Sequence, residues 1–314
     1  MRVIVLLTTE GASRFPVTGT ARHALALAGT AEWDGRTEAP GSAPTMAGPG
    51  SGTRGPAGRG VVGHLAGKVA LVTGAGQGVG QGIALALASE GAAVAVVGRT
   101  AAKLDTTCEL LRERGVEAEP FPFDVLDTPR APEVVERAVA RFGRVDILVN
   151  NAYSGAYGPL LTLSDDDFQR GFRSAPFAAF ALMKAVHPHM KRAGGGSVVN
   201  LVTSAMVRWD LSTYGAYAAA KQALRSLTRT AANEWGPDGI RVNAIAPHAA
   251  SPGYTRWAEA NPEEARAFVD SIPLRYLGDC ERDIGRAVVM LCGPDARYLT
   301  GATVPLDGGQ ANFD

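Results

Sequence analysis

From residue 63 onward the sequence predicts an α/β fold, a doubly wound parallel sheet of seven strands with helices on both faces. Short, continuously apolar runs such as Val69 to Val72 alternate with helical patterns of 10 or more residues, as buried parallel strands require. The first of these strands runs straight into a glycine-rich turn, Gly74 to Gly80, that opens the first helix. No linker rich in Pro, Gly or Ser interrupts the alternation, so residues 63–314 form one domain.

The elements follow in order. A strand over Lys68 to Thr73 leads to a helix over Gln81 to Glu90, with alanine and leucine on its packing face. Ala93 to Val97 is the second strand, Ala102 to Arg114 a helix, and Glu119 to Phe123 the third strand. Pro132 to Phe142 is helical, and Ile147 to Asn150 ends the fourth strand. A long helix over Asp166 to Lys191 precedes the strand Ser197 to Leu201, the helix Ala216 to Trp235 and the strand Arg241 to Ile245. After an irregular segment, about residues 249–274, come a helix over Asp283 to Cys292 and a last strand over Ala302 to Leu306. Pro252, Gly253 and Asn261-Pro262 break that segment, with a short helical stretch from Pro262 to Val269.

Composition narrows the functional classes. The 314 residues carry 31 basic and 31 acidic groups without a basic cluster, which gives no electrostatic reason to expect a nucleic acid partner. The apolar run Val3 to Leu7 is far shorter than the roughly 20 residues of a membrane span. Cys108, Cys280 and Cys292 have neither metal-ligand spacing nor the number for a disulfide framework, and a reducing cytoplasm is the expected location. His23, His64, His187, His189 and His248 form no cluster, so no metal is expected. Residues 1–62 differ from the rest: ten of the twenty residues from Gly41 to Gly60 are Gly or Pro. Such a stretch has little apolar surface to set against its ordering entropy and reads as a disordered extension, or as a sign that translation starts at Met46 or near Val61.

Gly74, Gly78 and Gly80 sit where a strand–turn–helix unit cradles a pyrophosphate, with Gln77 and Val79 between them. The pattern TGxxxGxG over Thr73 to Gly80 resembles the short-chain dehydrogenase/reductase family, whose domain is of the Rossmann type. Other segments agree. Asn150-Asn151-Ala152 is similar to its NNAG motif, Arg241 to Pro247 to its RVNxxxP, and Thr300 to Gly309 to its ending TGxxxxxDGG. The resemblance spans Leu65 to the C-terminus and is nearest in pattern to the 3-oxoacyl-(acyl-carrier-protein) reductase-like carbonyl reductases. It implies that Asp124 and Val125 meet the adenine, that Asn151 and Pro247 border the cofactor, and that the protein is a homotetramer or homodimer. The turn after the second strand reads Gly98-Arg99-Thr100, with no carboxylate for a ribose 2′-hydroxyl. Arg99 can pair instead with a 2′-phosphate, so the expected cofactor is NADP(H).

Tyr217 and Lys221 lie four residues apart in a helical stretch and share one face. A phenol near pKa 10 is a poor acid at neutral pH, and an adjacent ammonium favours its phenolate. Tyr214 lacks such a partner, since Ala218 follows it by four. Ser204 stands thirteen residues before Tyr217, the family's separation, and the resemblance makes it the hydroxyl that polarises the substrate oxygen. Tyr217 would donate the proton, and Lys221 would lower its pKa and hold the nicotinamide ribose. The expected activity is hydride transfer between NADP(H) and a small carbonyl or secondary alcohol.

Three residues depart from the family. Ala175 stands where an asparagine usually supports the proton relay, and Ser174 points about 100° away around the helix. Tyr153 replaces the glycine of NNAG, and His248 the glycine that usually follows Pro247. Tyr153 and His248, with Tyr254 and Trp257 from the irregular segment, are the candidate substrate-pocket residues. Ala175 and His248 also motivate a second reading, a nucleotide-binding regulatory or scaffold protein that has lost catalysis.

Overall fold

The computed structural model describes residues 63–208, 213–311 and 313. The expectations for residues 1–62 lie outside the described residues. Seven strands form one sheet in the order β3-β2-β1-β4-β5-β6-β7, every neighbouring pair parallel. The first strand, β1 (Val69–Thr73), is buried along its whole length. It feeds α1 (Gly78–Ser89), then β2 (Ala93–Gly98), α2 (Ala101–Glu113) and β3 (Ala118–Pro122). Two prolines, Pro120 and Pro122, are tolerated in β3 because it is an edge strand. The chain then crosses back through α3 (Ala131–Phe142) to β4 (Ile147–Asn150), which pairs with β1 on its other side.

The two faces of the sheet carry separate cores, because successive strand side chains alternate in direction. Leu71, Val97 and Phe121 pack with Val134, Leu182 and Leu224 on one face. Ala70, Val72 and Val96 pack with Ile83, Leu87 and Leu111 on the other.

The long helix expected from Asp166 to Lys191 is divided. It consists of α4 (Asp165–Phe172), a widened π-type turn over Arg173–Phe177, and α5 (Ala178–Arg192). Pro176 inside the turn has no N–H for the helical ladder, which is a sufficient cause for the break. The second half continues through β5 (Gly196–Leu201), α6 (Gly215–Trp235) and β6 (Ile240–Pro247).

The irregular segment is more ordered than its sequence suggests. Two helices fill it, α7 (Pro252–Ala260) and α8 (Pro262–Asp270). Ser251 accepts a hydrogen bond from the Tyr254 N–H, and Pro252 occupies the first helical turn. That cap-plus-proline start was the available signal for α7. A second widened turn, Cys280–Gly285, leads into α9 (Arg286–Cys292), and β7 (Thr303–Leu306) closes the sheet. A Cβ at Gly82 would stand 2.3 Å from the Cys280 carbonyl carbon, and one at Gly285 2.6 Å from Ala86 Cβ. Only glycines let α1 and this last helical run touch so closely.

Candidate active site

A cleft of about 450 Å³ opens at the carboxyl ends of β1 and β4, where the strand order reverses. That switch point is where open α/β sheets bind ligands. Its floor is sewn together by β4. Thr73 Oγ1 accepts from the N–H groups of Asn151 at 3.0 Å and Ala152 at 3.1 Å. Asn151 Nδ2 donates to the carbonyls of Thr73 at 2.8 Å and Gly74 at 3.2 Å. Gly74 turns with φ +66°, and a Cβ at Gly80 would come within 2.4 Å of both Asn151 Nδ2 and the Gly74 oxygen. α1 begins behind Gln77 without a side-chain cap, so its first N–H groups face the cleft in the manner of an anion site.

Most of the expected cofactor residues converge here. Gly74, Gln77, Gly78, Val79, Gly80, Arg99, Thr100, Asp124, Val125, Asn151 and Tyr217 all line the cleft, whereas Lys221 and Pro247 do not. Asp124 and Val125 follow β3 rather than closing it, and Asp124 Oδ1 accepts from the Leu126 N–H at 3.0 Å. The cleft also has lining residues that the motifs did not single out. Lys103 stands in the first turn of α2 near exposed Arg99 and donates to Gln77 Oε1 at 2.6 Å. Arg256 of α7 borders the same cleft, as does Tyr157 beside Tyr153.

At the inner end, Tyr217 and Lys221 project from one face of α6, with Lys221 only 2% exposed. Lys221 donates to the Leu201 carbonyl at 2.6 Å and lies 5.7 Å from the Tyr217 ring and 5.3 Å from that of Tyr153. The expectation that Lys221 favours the phenolate is not met in the protein alone. Burial pushes Tyr217 up to about 12 and Lys221 down to about 7. Both groups lose hydration, so the neutral form of each gains, and the attraction between the charged forms does not overcome this. The one opposing influence on Tyr217 is a side-chain hydrogen bond with Thr203.

Ser204 is fully buried, and its Oγ donates at 2.5 Å to Asp307 Oδ2.

Tyr153 has become part of an aromatic wall. Its ring meets Tyr217 edge-on at 4.7 Å, Tyr157 lies 5.4 Å from Tyr217, and Tyr214 packs 5.3 Å from Tyr157. The Tyr153 hydroxyl points toward Gly155 and Gly171, where added Cβ atoms would stand 2.1 Å and 3.2 Å from it, and has no hydrogen-bond partner among the described residues. His248, Tyr254 and Trp257 do not line the cleft. They gather instead around Phe268 of α8, at 5.5, 6.1 and 6.3 Å between ring centroids. Burial holds the His248 imidazole below its usual range, Asp307 opposes this, and Arg208 adds to it. Ala175 is buried in the π-type turn. Ser174 cannot stand in for an asparagine there, because its Oγ accepts from the Ser154 N–H at 3.0 Å and donates to the Gly171 carbonyl. No group of three or more His, Cys, Asp or Glu side chains among the described residues could hold a metal ion. No helix among them is long and apolar enough to cross a membrane.

Comparison with known proteins follows the same outline. Residues 74–311 match a family described as enoyl-(acyl carrier protein) reductase. The chain is 38% identical over 256 residues to a 12α-hydroxysteroid dehydrogenase of Clostridium sp., covering 79% of this chain and 98% of that protein. A solved 7α-hydroxysteroid dehydrogenase, complexed with NADH and 7-oxo glycochenodeoxycholic acid, is 31% identical with a TM-score of 0.74, over 79% of this chain and 96% of its own. A blue fluorescent protein from a metagenomic library, complexed with NADPH, is 32% identical with a TM-score of 0.72, over 79% of this chain and 100% of its own.

Proposed function

Because the chain belongs to the short-chain dehydrogenase/reductase superfamily, we propose that it is an NADP(H)-dependent oxidoreductase reducing a small ketone to a secondary alcohol. The observation that carries this reading is the Tyr217–Lys221 pair on one face of α6, at the inner end of a glycine-floored cleft. A dinucleotide fits the residues present: an added Cβ at Gly80 would crowd the floor, one at Gly78 would stand 3.2 Å from Pro252, and the capless start of α1 suits a diphosphate. Bound NADPH supplies the hydride. Tyr217 delivers the proton to the carbonyl oxygen as it gains charge, and a hydroxyl from the Thr203–Ser204 pair assists. Lys221, buried near both tyrosine rings, would hold the cofactor ribose and would take up a proton where negative charge develops nearby. Arg99 and Lys103 favour a 2′-phosphate at the far end, since both are cations beside the turn after β2 and no carboxylate is there to repel it.

The aromatic wall of Tyr153, Tyr157 and Tyr214 favours a substrate with a broad apolar body. Hydroxysteroid dehydrogenases among the relatives support the same direction. Exposed Phe177, at the end of the π-type turn, and Phe180 on α5 support self-association along this helix as a homotetramer. The test is initial-rate NADPH oxidation against cyclic ketones, aldehydes and 3-oxoacyl thioesters, with NADH in parallel. Turnover that prefers NADPH supports the proposal. Tight NADPH binding without turnover on the panel would overturn it in favour of a regulatory nucleotide-binding protein.

A further inference from the structure

We propose that Arg256 of α7 is a cofactor-binding residue, which holds the diphosphate of the dinucleotide from the wall of the cleft opposite the glycine turn. The proposal rests on the nucleotide-binding part of the oxidoreductase reading and names a residue outside the family motifs. Helical geometry fixes which way Arg256 faces. At about 100° per residue, Pro252 and Arg256 stand about 40° apart on α7, and Tyr254 and Trp257 share the opposite side. Both sides are occupied as that spacing requires. Tyr254 and Trp257 pack on Phe268 of α8, with ring centroids at 6.1 and 6.3 Å. Pro252 turns to the glycine turn, where a Cβ added at Gly78 would stand 3.2 Å from Pro252 Cδ and 3.5 Å from Ser251 Cβ. Arg256, one helical turn beyond Pro252, lines the same cleft.

The start of α7 is pinned without Arg256. The Ala250 N–H donates to the Gly278 carbonyl at 3.0 Å, and the Gly278 N–H donates to the His248 carbonyl at 3.3 Å. Ser251 Oγ then caps the helix by accepting from the Tyr254 N–H at 3.3 Å. Charge selects the ligand. The charged side chains lining the cleft are Arg99, Lys103, Asp124 and Arg256. Asp124 already accepts from the Leu126 N–H, and Lys103 donates to Gln77 Oε1. Arg256 is exposed and makes no hydrogen bond or ion pair with any described residue. Its planar fork suits an anion that offers several oxygen acceptors. Of the cofactor's anionic groups, the 2′-phosphate falls to Arg99 after β2, and the diphosphate falls to the glycine turn that α7 faces. Arg256 and the turn therefore address one group from two sides, with an attraction common to NADPH and NADH.

The experiment titrates the full chain with NADPH, NADH, ADP-ribose and 2′-AMP by calorimetry, in the wild type, Arg256→Gln, Arg256→Lys and Arg99→Ala. Arg256→Gln should weaken NADPH, NADH and ADP-ribose alike by about tenfold, the scale of one charge-assisted contact, and leave 2′-AMP unchanged. Arg256→Lys keeps the charge and loses the fork, so it should recover part of that loss. Arg99→Ala should do the reverse, weakening NADPH and 2′-AMP only. Wild-type affinity for ADP-ribose should fall more steeply with added salt than that of Arg256→Gln. Because Arg256 is exposed, Arg256→Gln should keep the wild-type Tm, which separates lost affinity from a lost fold. A loss confined to NADPH and 2′-AMP would move Arg256 to the 2′-phosphate and overturn the proposal. Unchanged affinities would overturn it too, and a raised KM for an acid-bearing ketone would then place Arg256 on the substrate. The oxidoreductase reading fails separately, as tight dinucleotide binding without turnover, and these affinities would still decide the role of Arg256.

Discussion

The outer end of the cleft is made of backbone, and the inner end is made of side chains. At the outer end, Gly74, Gly78 and Gly80 present main chain to the cavity, and Asn151 fastens the turn to β4 through main-chain oxygens. At the inner end, Tyr153, Tyr157, Thr203, Tyr217 and Lys221 hold one another by ring contacts, burial and single hydrogen bonds. The difference teaches where variation is tolerated. A backbone site fails when any side chain is added, whereas a side-chain site can be rebuilt residue by residue, as Tyr153 shows.

The largest expected effect tests the inner end. Tyr217→Phe should lower kcat by about 10³-fold, within the usual reach of a general acid, with NADPH binding unchanged in a fluorescence titration. Retained turnover would remove Tyr217 from the chemistry. Next is a stability effect from the same place. Lys221 titrates at about 7 in the folded protein against 10.5 unfolded. Between those values the unfolded chain holds a proton that the folded chain has released, so stability rises with pH, by at most about 1.4 kcal/mol per pH unit. Tyr217, raised from 10.0 to about 12, reverses the slope above pH 10. Urea midpoints of the cofactor-free protein should therefore climb from pH 7 to 9, and Lys221→Met should flatten the climb. An equal climb in the variant would place its origin elsewhere.

The outer end should answer differently. Gly80→Ala puts a methyl group 2.4 Å from Asn151 Nδ2 and the Gly74 oxygen, a clash expected to cost about 1–3 kcal/mol of stability. Calorimetry should show the lower Tm, and NADPH affinity should fall with it. A fully active, equally stable variant would mean that the floor yields to an added methyl group. Smallest is Arg99→Ala, which should raise the NADPH KM about tenfold through loss of a charge-assisted contact and leave that for NADH nearly unchanged. Equal changes for both cofactors would remove Arg99 from the specificity.

Legibility in the sequence follows the same division. Strands buried on both faces announce themselves as unbroken apolar runs, and β1, β2 and β4 begin or end within a residue or two of their expected bounds. The glycine turn was equally plain, since few other functions require such spacing. The π-type turns at Arg173–Phe177 and Cys280–Gly285 were hidden, because one extra residue per turn barely changes a helical hydrophobic pattern. Pro176 was the visible clue in the first of them. α7 is hidden because Pro252 and Gly253 look like breakers, although Ser251 caps the helix. The Ser204–Asp307 bond joins residues 103 apart, a pairing that no local spacing records.

The cluster of Tyr254, Trp257 and Phe268 gives the segment over α7 and α8 an optical property of its own. Trp257 is 38% exposed there, while Trp235 is set against His187 at the end of α6. Indole emission overlaps the absorption of a reduced nicotinamide ring, so excitation energy passes from one to the other at a rate set by their separation. The share of the emission that comes from Trp257 would then track how far α7 stands from a bound cofactor.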